Sequence, residues 1–152
     1  MLSAQTLLAQ MTRTAAKDLA KLAESLGDKA TFQPLGKGRS ALDQVQECVT
    51  INFGAAEWIA SQNTAPTIDM EAFVRTRAEA DTLEKALPLL HESAEKLAQT
   101  IEAFPAEKLQ DSVLLPFGPG MTKPFVDVMQ LPLWNMNYHE GQINYIQSLL
   151  AE

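Results

Sequence analysis

Apolar residues recur every three to four positions along most of this chain, the period of helices with one buried stripe. Leu2, Leu7 or Leu8, Met11, Ala15, Leu19, Leu22 and Leu26 mark the first stripe, with Ser3 placed to cap its start and Gly27 to close it. Leu42, Val45, Val49, Phe53, Ala56 and Ile59 mark the second. Ser40 and Asp43 pair as its capping box, Trp58 thickens its buried face, and Asn63, Thr64 and Pro66 end it. Thr76 and Glu79 read as another capping box, opening a third helix through Leu83, Leu87, Leu90, Ala94, Leu97, Ile101 and Phe104. Pro88 predicts a kink near Leu83 to Leu87, because proline lacks an amide proton and crowds the carbonyl four residues back. Pro105 stops that helix. A last helix is expected from Pro124 to about Leu150, bent by Pro132.

The stretch from Gln110 to Lys123 breaks the pattern. Val113 to Leu115 reads as extended, and Pro116, Gly118, Pro119 and Gly120 enforce a turn. Four long helices and two sizeable connections predict an all-α protein, a four-helix bundle, folded as a single domain over residues 1–152.

Composition narrows the function classes. Twelve Lys and Arg against 19 Asp and Glu leave a net charge of −7, the wrong sign for binding a phosphate backbone, so no nucleic-acid partner is expected. No run approaches the roughly 18 apolar residues of a spanning helix, and no basic region precedes the first apolar residues. A soluble, cytoplasmic protein without a membrane role is therefore expected. A single cysteine excludes an internal disulfide framework and a four-cysteine zinc site.

Chemistry is sought in polar residues that fall on buried stripes. In the last helix the inward line reads Val128, Pro132, Asn135, His139, Gln142, Ile146 and Leu149. Asn135 and His139 are four apart and share a face, with Gln142 one turn on. Such groups must hydrogen-bond or ligate something, since a buried polar atom without a partner costs about 1–3 kcal/mol. They read equally as a register-fixing network or as a metal or substrate site. Cys48 and Asn52 extend the polar line of the second helix, and Tyr138 and Tyr145 flank His139. His91 reads as a solvated side chain paired with Glu95, and Phe117-Gly-Pro-Gly lacks the Lys-Ser/Thr pair of a phosphate-binding loop.

The segment from Asn135 through His139, Gly141 and Gln142 to the apolar residues after it resembles the terminal helix of the DinB/YfiT-like superfamily. Members of that family typically close with His-x-x-x-His-x-Gly-Gln. The segment from Ser40 to Glu47 is similar to the family's second-helix entry, where a histidine follows four residues after an acidic capping residue. The resemblance implies a helical bundle with long crossover connections, often a homodimer. It also implies a divalent metal, zinc or nickel, held by three histidines, with thiol-dependent transferases and isomerases among the characterised relatives. Carried onto this chain, the metal positions fall on Glu47, Asn135 and His139, with Cys48, Asn52, Tyr138 and Gln142 as pocket-lining candidates.

Two readings follow. In one, the chain is a small-molecule-binding bundle whose metal site is degenerate, with no assured catalysis. In the other, it is a divalent-metal-dependent transferase or hydrolase, with or without a thiol cofactor, using the Glu47, Asn135 and His139 pocket.

Overall fold

The computed structural model describes residues 2–151, so Met1 and Glu152, the ends of the expected domain, lie outside the described residues. Five α-helices and one β-hairpin make up most of the chain. In order they are α1 (Ala4–Glu24), α2 (Ala41–Ala60), α3 (Met70–Glu79), α4 (Leu83–Ala103), β1 (Ser112–Leu115), β2 (Met121–Pro124) and α5 (Phe125–Leu150). Among the described residues no helix is long and apolar enough to cross a membrane.

The caps explain most of the boundaries. Ser3 accepts from the Thr6 amide at the start of α1, and Ser40 and Asp43 form the reciprocal capping box of α2. At the end of α1 the right-handed backbone continues through Ser25 and Leu26, and Gly27, at φ +55°, reverses it. The expected opening of the third long helix is corrected. Thr76 and Glu79 lie inside a separate short helix, α3, capped by Asp69, and the long helix α4 starts at Leu83 behind Thr82, whose hydroxyl accepts from the Lys85 amide. Both Thr76 and Thr82 are competent caps by residue type. The α-helix ends at Glu79, and Ala80 takes up a non-helical backbone. Pro88 and Pro132 each sit within one continuous helix.

Helices α1 and α4 are antiparallel, tied by Gln5 Nε2 donating to the Phe104 carbonyl and by Arg13, which grips Glu95 and Glu102 at 2.8 Å each. That grip also corrects the expected His91–Glu95 pair: the Glu95 carboxylate is taken by Arg13 and Gln99, and His91 is simply exposed. Helix α5 runs parallel to α1, where Gln147 reaches Ser25, and antiparallel to α2. Helices α2 and α4 run the same way, so residues 61–82 must cross over between them, and α3 lies in that crossover. Leu19, Val45, Ile59, Leu90, Leu97, Ile101, Met129, Met136 and Ile143 fill the centre. Burying each such side chain contributes about 1.5–3 kcal/mol. Alanines at 9, 16, 20 and 23 on α1 and at 94 and 98 on α4 let those two helices approach closely.

The hairpin pairs Val113 with Lys123 and Leu115 with Met121. Val113 and Leu115 point into the core while Leu114 points out, the alternation of a half-buried strand. The Leu114 amide donates to the Thr64 carbonyl at 2.8 Å, fastening the start of the crossover to the hairpin. Its far end is fastened by Gln46, whose buried side chain donates to the Ala80 carbonyl at 2.7 Å. Helix α3 is thus a strap held at both ends, with none of its own residues fully buried.

Candidate functional site

Two features stand beside each other between α2 and α5. The first is a closed polar cluster. Glu47, one and a half turns into α2, meets His139 on α5, with Nε2 to Oε1 at 3.0 Å. The other Glu47 oxygen takes the Arg39 guanidinium at 2.6 Å. The Nδ1 of His139 lies 2.8 Å from the side-chain oxygens of both Gln44 and Gln142. Gln44 uses its own amide N–H on the Arg39 carbonyl, which fixes its oxygen toward the ring. Both ring nitrogens therefore lie within hydrogen-bond distance of side-chain groups of the protein itself. His139 is 2% exposed, so this is a buried imidazole fully engaged by protein atoms.

The electrostatics agree. The hydrogen bond from His139 holds the Glu47 carboxylate below its ordinary range, burial opposes that shift, and Arg39 adds to it. Next in sequence, Cys48 is fully buried, and burial, with the Glu47 charge beside it, pushes its thiol up to about 12. That removes it as a nucleophile at neutral pH. Asn135 does not touch Glu47 or His139 through a hydrogen bond; its amide donates to the Cys48 sulfur at 3.5 Å. Asn52 lies in the core between Ser93 and Met136, and its Oδ1 has no partner among the described residues. Tyr138 is half exposed, with its ring edge-on to His139 at 5.5 Å and stacked on Trp134 at 5.2 Å.

The second feature is a cavity of about 760 Å³ walled by the second half of α2, the inner face of α3, the hairpin loop and the first half of α5. That volume lies within the ~300–1,000 Å³ typical of small-molecule sites. Of the residues expected to ligate or line a pocket, only Asn135 faces it; Glu47, Cys48, Asn52, Tyr138, His139 and Gln142 do not. Asn135 is thus the one side chain that touches both the cavity and, through Cys48, the edge of the polar cluster.

Sequence reasoning missed Arg39 and Gln44. Gln44 could have been found, since it lies three residues before Glu47 on the same face of an otherwise apolar helix. Arg39 precedes the helix cap, where periodicity says nothing about direction.

Neither a known protein-family model nor a curated protein matches this sequence. The fold does have solved counterparts. They are the mycothiol-dependent maleylpyruvate isomerase and a histidine-to-alanine mutant of it, with TM-scores of 0.67 and 0.68 at 15% identity. The match covers 94% of this chain and 63% of the isomerase, so the chain spans under two thirds of that protein. At that identity the likeness establishes a shared fold.

Proposed function

We propose that this chain is a cytoplasmic small-molecule-binding protein, a DinB/YfiT-like four-helix bundle with long crossover connections. In this reading, the positions the family gives to a metal are tied instead into the protein's own hydrogen bonds. The observation that carries it is the saturation of His139: Nε2 is spent on Glu47, and Nδ1 on two glutamine oxygens. A metal would have to displace Glu47 from the ring and pull its other oxygen from Arg39. The third donor is a neutral amide that is turned toward Cys48. One carboxylate, one occupied imidazole and one amide fit a tightly held divalent ion poorly. Among the described residues no group of three or more His, Cys, Asp or Glu side chains is arranged to hold one. The ligand would occupy the cavity, with Asn135 as its polar contact nearest the cluster.

The second reading is a metal-dependent transferase or hydrolase, with or without a thiol cofactor. It is favoured by the fold shared with a mycothiol-dependent isomerase, and by the adjacency of Glu47 and His139. The donor set argues against it, and no catalytic step is drawn from it.

The test is elemental analysis of protein purified without a polyhistidine tag, then equilibrated with zinc or nickel and desalted. Substoichiometric metal, unchanged by His139→Ala, is expected. About one ion per chain, lost in His139→Ala, would overturn the proposal.

We extend the proposal to a homodimer through α5. Tyr138 and Tyr145 lie seven residues apart on its outward line and are 50% and 66% exposed. Such an aromatic line is typical of a contact surface.

A further inference from the structure

Half of the chain's aromatic residues converge on the cavity beneath α3: Phe53, Trp58, Phe73, Phe117 and Trp134, of six Phe, two Trp and two Tyr. Trp134 is stacked on Tyr138 and Lys96 stands by the Phe53 ring, while Trp58, Phe73 and Phe117 make no ring–ring contact among the described residues. Gly54 sits among them, in the middle of α2. A Cβ built there meets nothing within 4 Å. Glycine in a helix interior weakens the helix, and no close neighbour inside the protein requires it here. What the glycine preserves is open space between aromatic walls.

The rim supplies one available cation. Arg75 is held by Asp69 at 2.8 Å and Glu71 at 3.7 Å. Lys96 makes no ion pair among the described residues, and its ammonium stands 5.6 Å from the centroid of the Phe53 ring, against the aromatic wall. Glu57 and Glu79 also border the cavity; they and Lys96 are all exposed, so solvent screens their repulsion and the attraction of Lys96 alike, and the contact with Lys96 must be short to select an anion.

We propose that the cavity binds a flat aromatic carboxylate, packed against the aromatic walls with its carboxylate on Lys96. Aromatic faces favour offset or edge contact with a second ring, and a cation beside them selects an anionic substituent. Helix α3, anchored through Ala80 and Thr64, roofs the site. This deepens the small-molecule reading by naming the ligand class.

The experiment uses 2-naphthoate as the probe, in metal-free protein. Both tryptophans, Trp58 and Trp134, line the cavity, so intrinsic fluorescence reports on it directly. Saturable quenching with a midpoint below about 1 mM is expected. Gly54→Leu, which fills the floor, should weaken it by more than about tenfold. Lys96→Met should weaken 2-naphthoate by up to about fivefold and leave the neutral 2-naphthylmethanol unchanged. Absence of saturable quenching, or wild-type binding in a folded Gly54→Leu, would overturn the proposal. So would equal effects of Lys96→Met on the acid and the alcohol. Lys96 is a surface side chain, so that comparison stands however Gly54→Leu folds. Because no metal is present, failure here is distinguishable from the finding of a bound ion, which sinks the preceding proposal alone.

Discussion

Replacing Gly54 with alanine should make this protein more stable. Gly54 lies 14 residues into a helix of 20, between the packed positions Phe53 and Ala55. A methyl group there meets no atom within 4 Å, so there is no clash to subtract. The remaining effect is the backbone entropy that alanine removes from the unfolded chain, about 0.8–1.0 kcal/mol in a helix interior. For a chain of this length that corresponds to a rise in Tm of about 2–4 °C. Urea unfolding followed by circular dichroism checks it, with the midpoint rising and the slope unchanged. An unchanged or lower midpoint would mean that Gly54 meets a packing or conformational need, and that its open surroundings have been misread. The same result would remove the argument that the glycine keeps space for a ligand.

Three other outcomes follow from the cluster, the thiol and the surface. The Glu47 carboxyl titrates below its ordinary 4.5 in the folded protein, so its contribution is present above that value and is lost as pH falls through the folded pKa. The stability advantage of wild type over Glu47→Gln should therefore shrink steadily below about pH 4.5; an advantage that stays constant down to pH 3 would contradict the pairing. Cys48, its pKa pushed up to about 12, should react with a disulfide reagent at pH 8 only as fast as the protein unfolds, and immediate labelling would refute its burial. Light scattering should show a dimer that Tyr145→Arg converts to a monomer, the site being 66% exposed in the single chain; a wild-type monomer at micromolar concentration ends the dimer reading.

How much of this was readable in the sequence depends on whether local rules decided the outcome. Ser3 and the Ser40–Asp43 box fixed two helix starts because a cap acts over three residues. The turn between β1 and β2 was visible in Gly118 and Gly120, which take φ +56° and +95°. Helix α3 was not visible, since its residues contribute no buried stripe and two threonines six positions apart compete as caps. Within the site, the 3.6-residue period placed Asn135, His139 and Gln142 on one side of α5, and the meeting of Glu47 with His139 agrees with it. The same period could not tell a 3.0 Å hydrogen bond from a metal's two ligands, because both need the groups on facing helices. Nor could it locate the cavity. That space is set by where residues 61–82 cross over, which is a matter of topology and of two long-range anchors, Gln46 to Ala80 and Leu114 to Thr64.

His139 is bonded on both sides by its own protein. Nitrogen-15 NMR of the imidazole rings, recorded with and without added zinc, tests it directly. The only other histidine, His91, is exposed and can be removed as His91→Gln to assign the signals. The predicted spectrum shows His139 ring signals that are unmoved by added zinc. A His139 ring nitrogen signal that shifts on stoichiometric addition of zinc would contradict it.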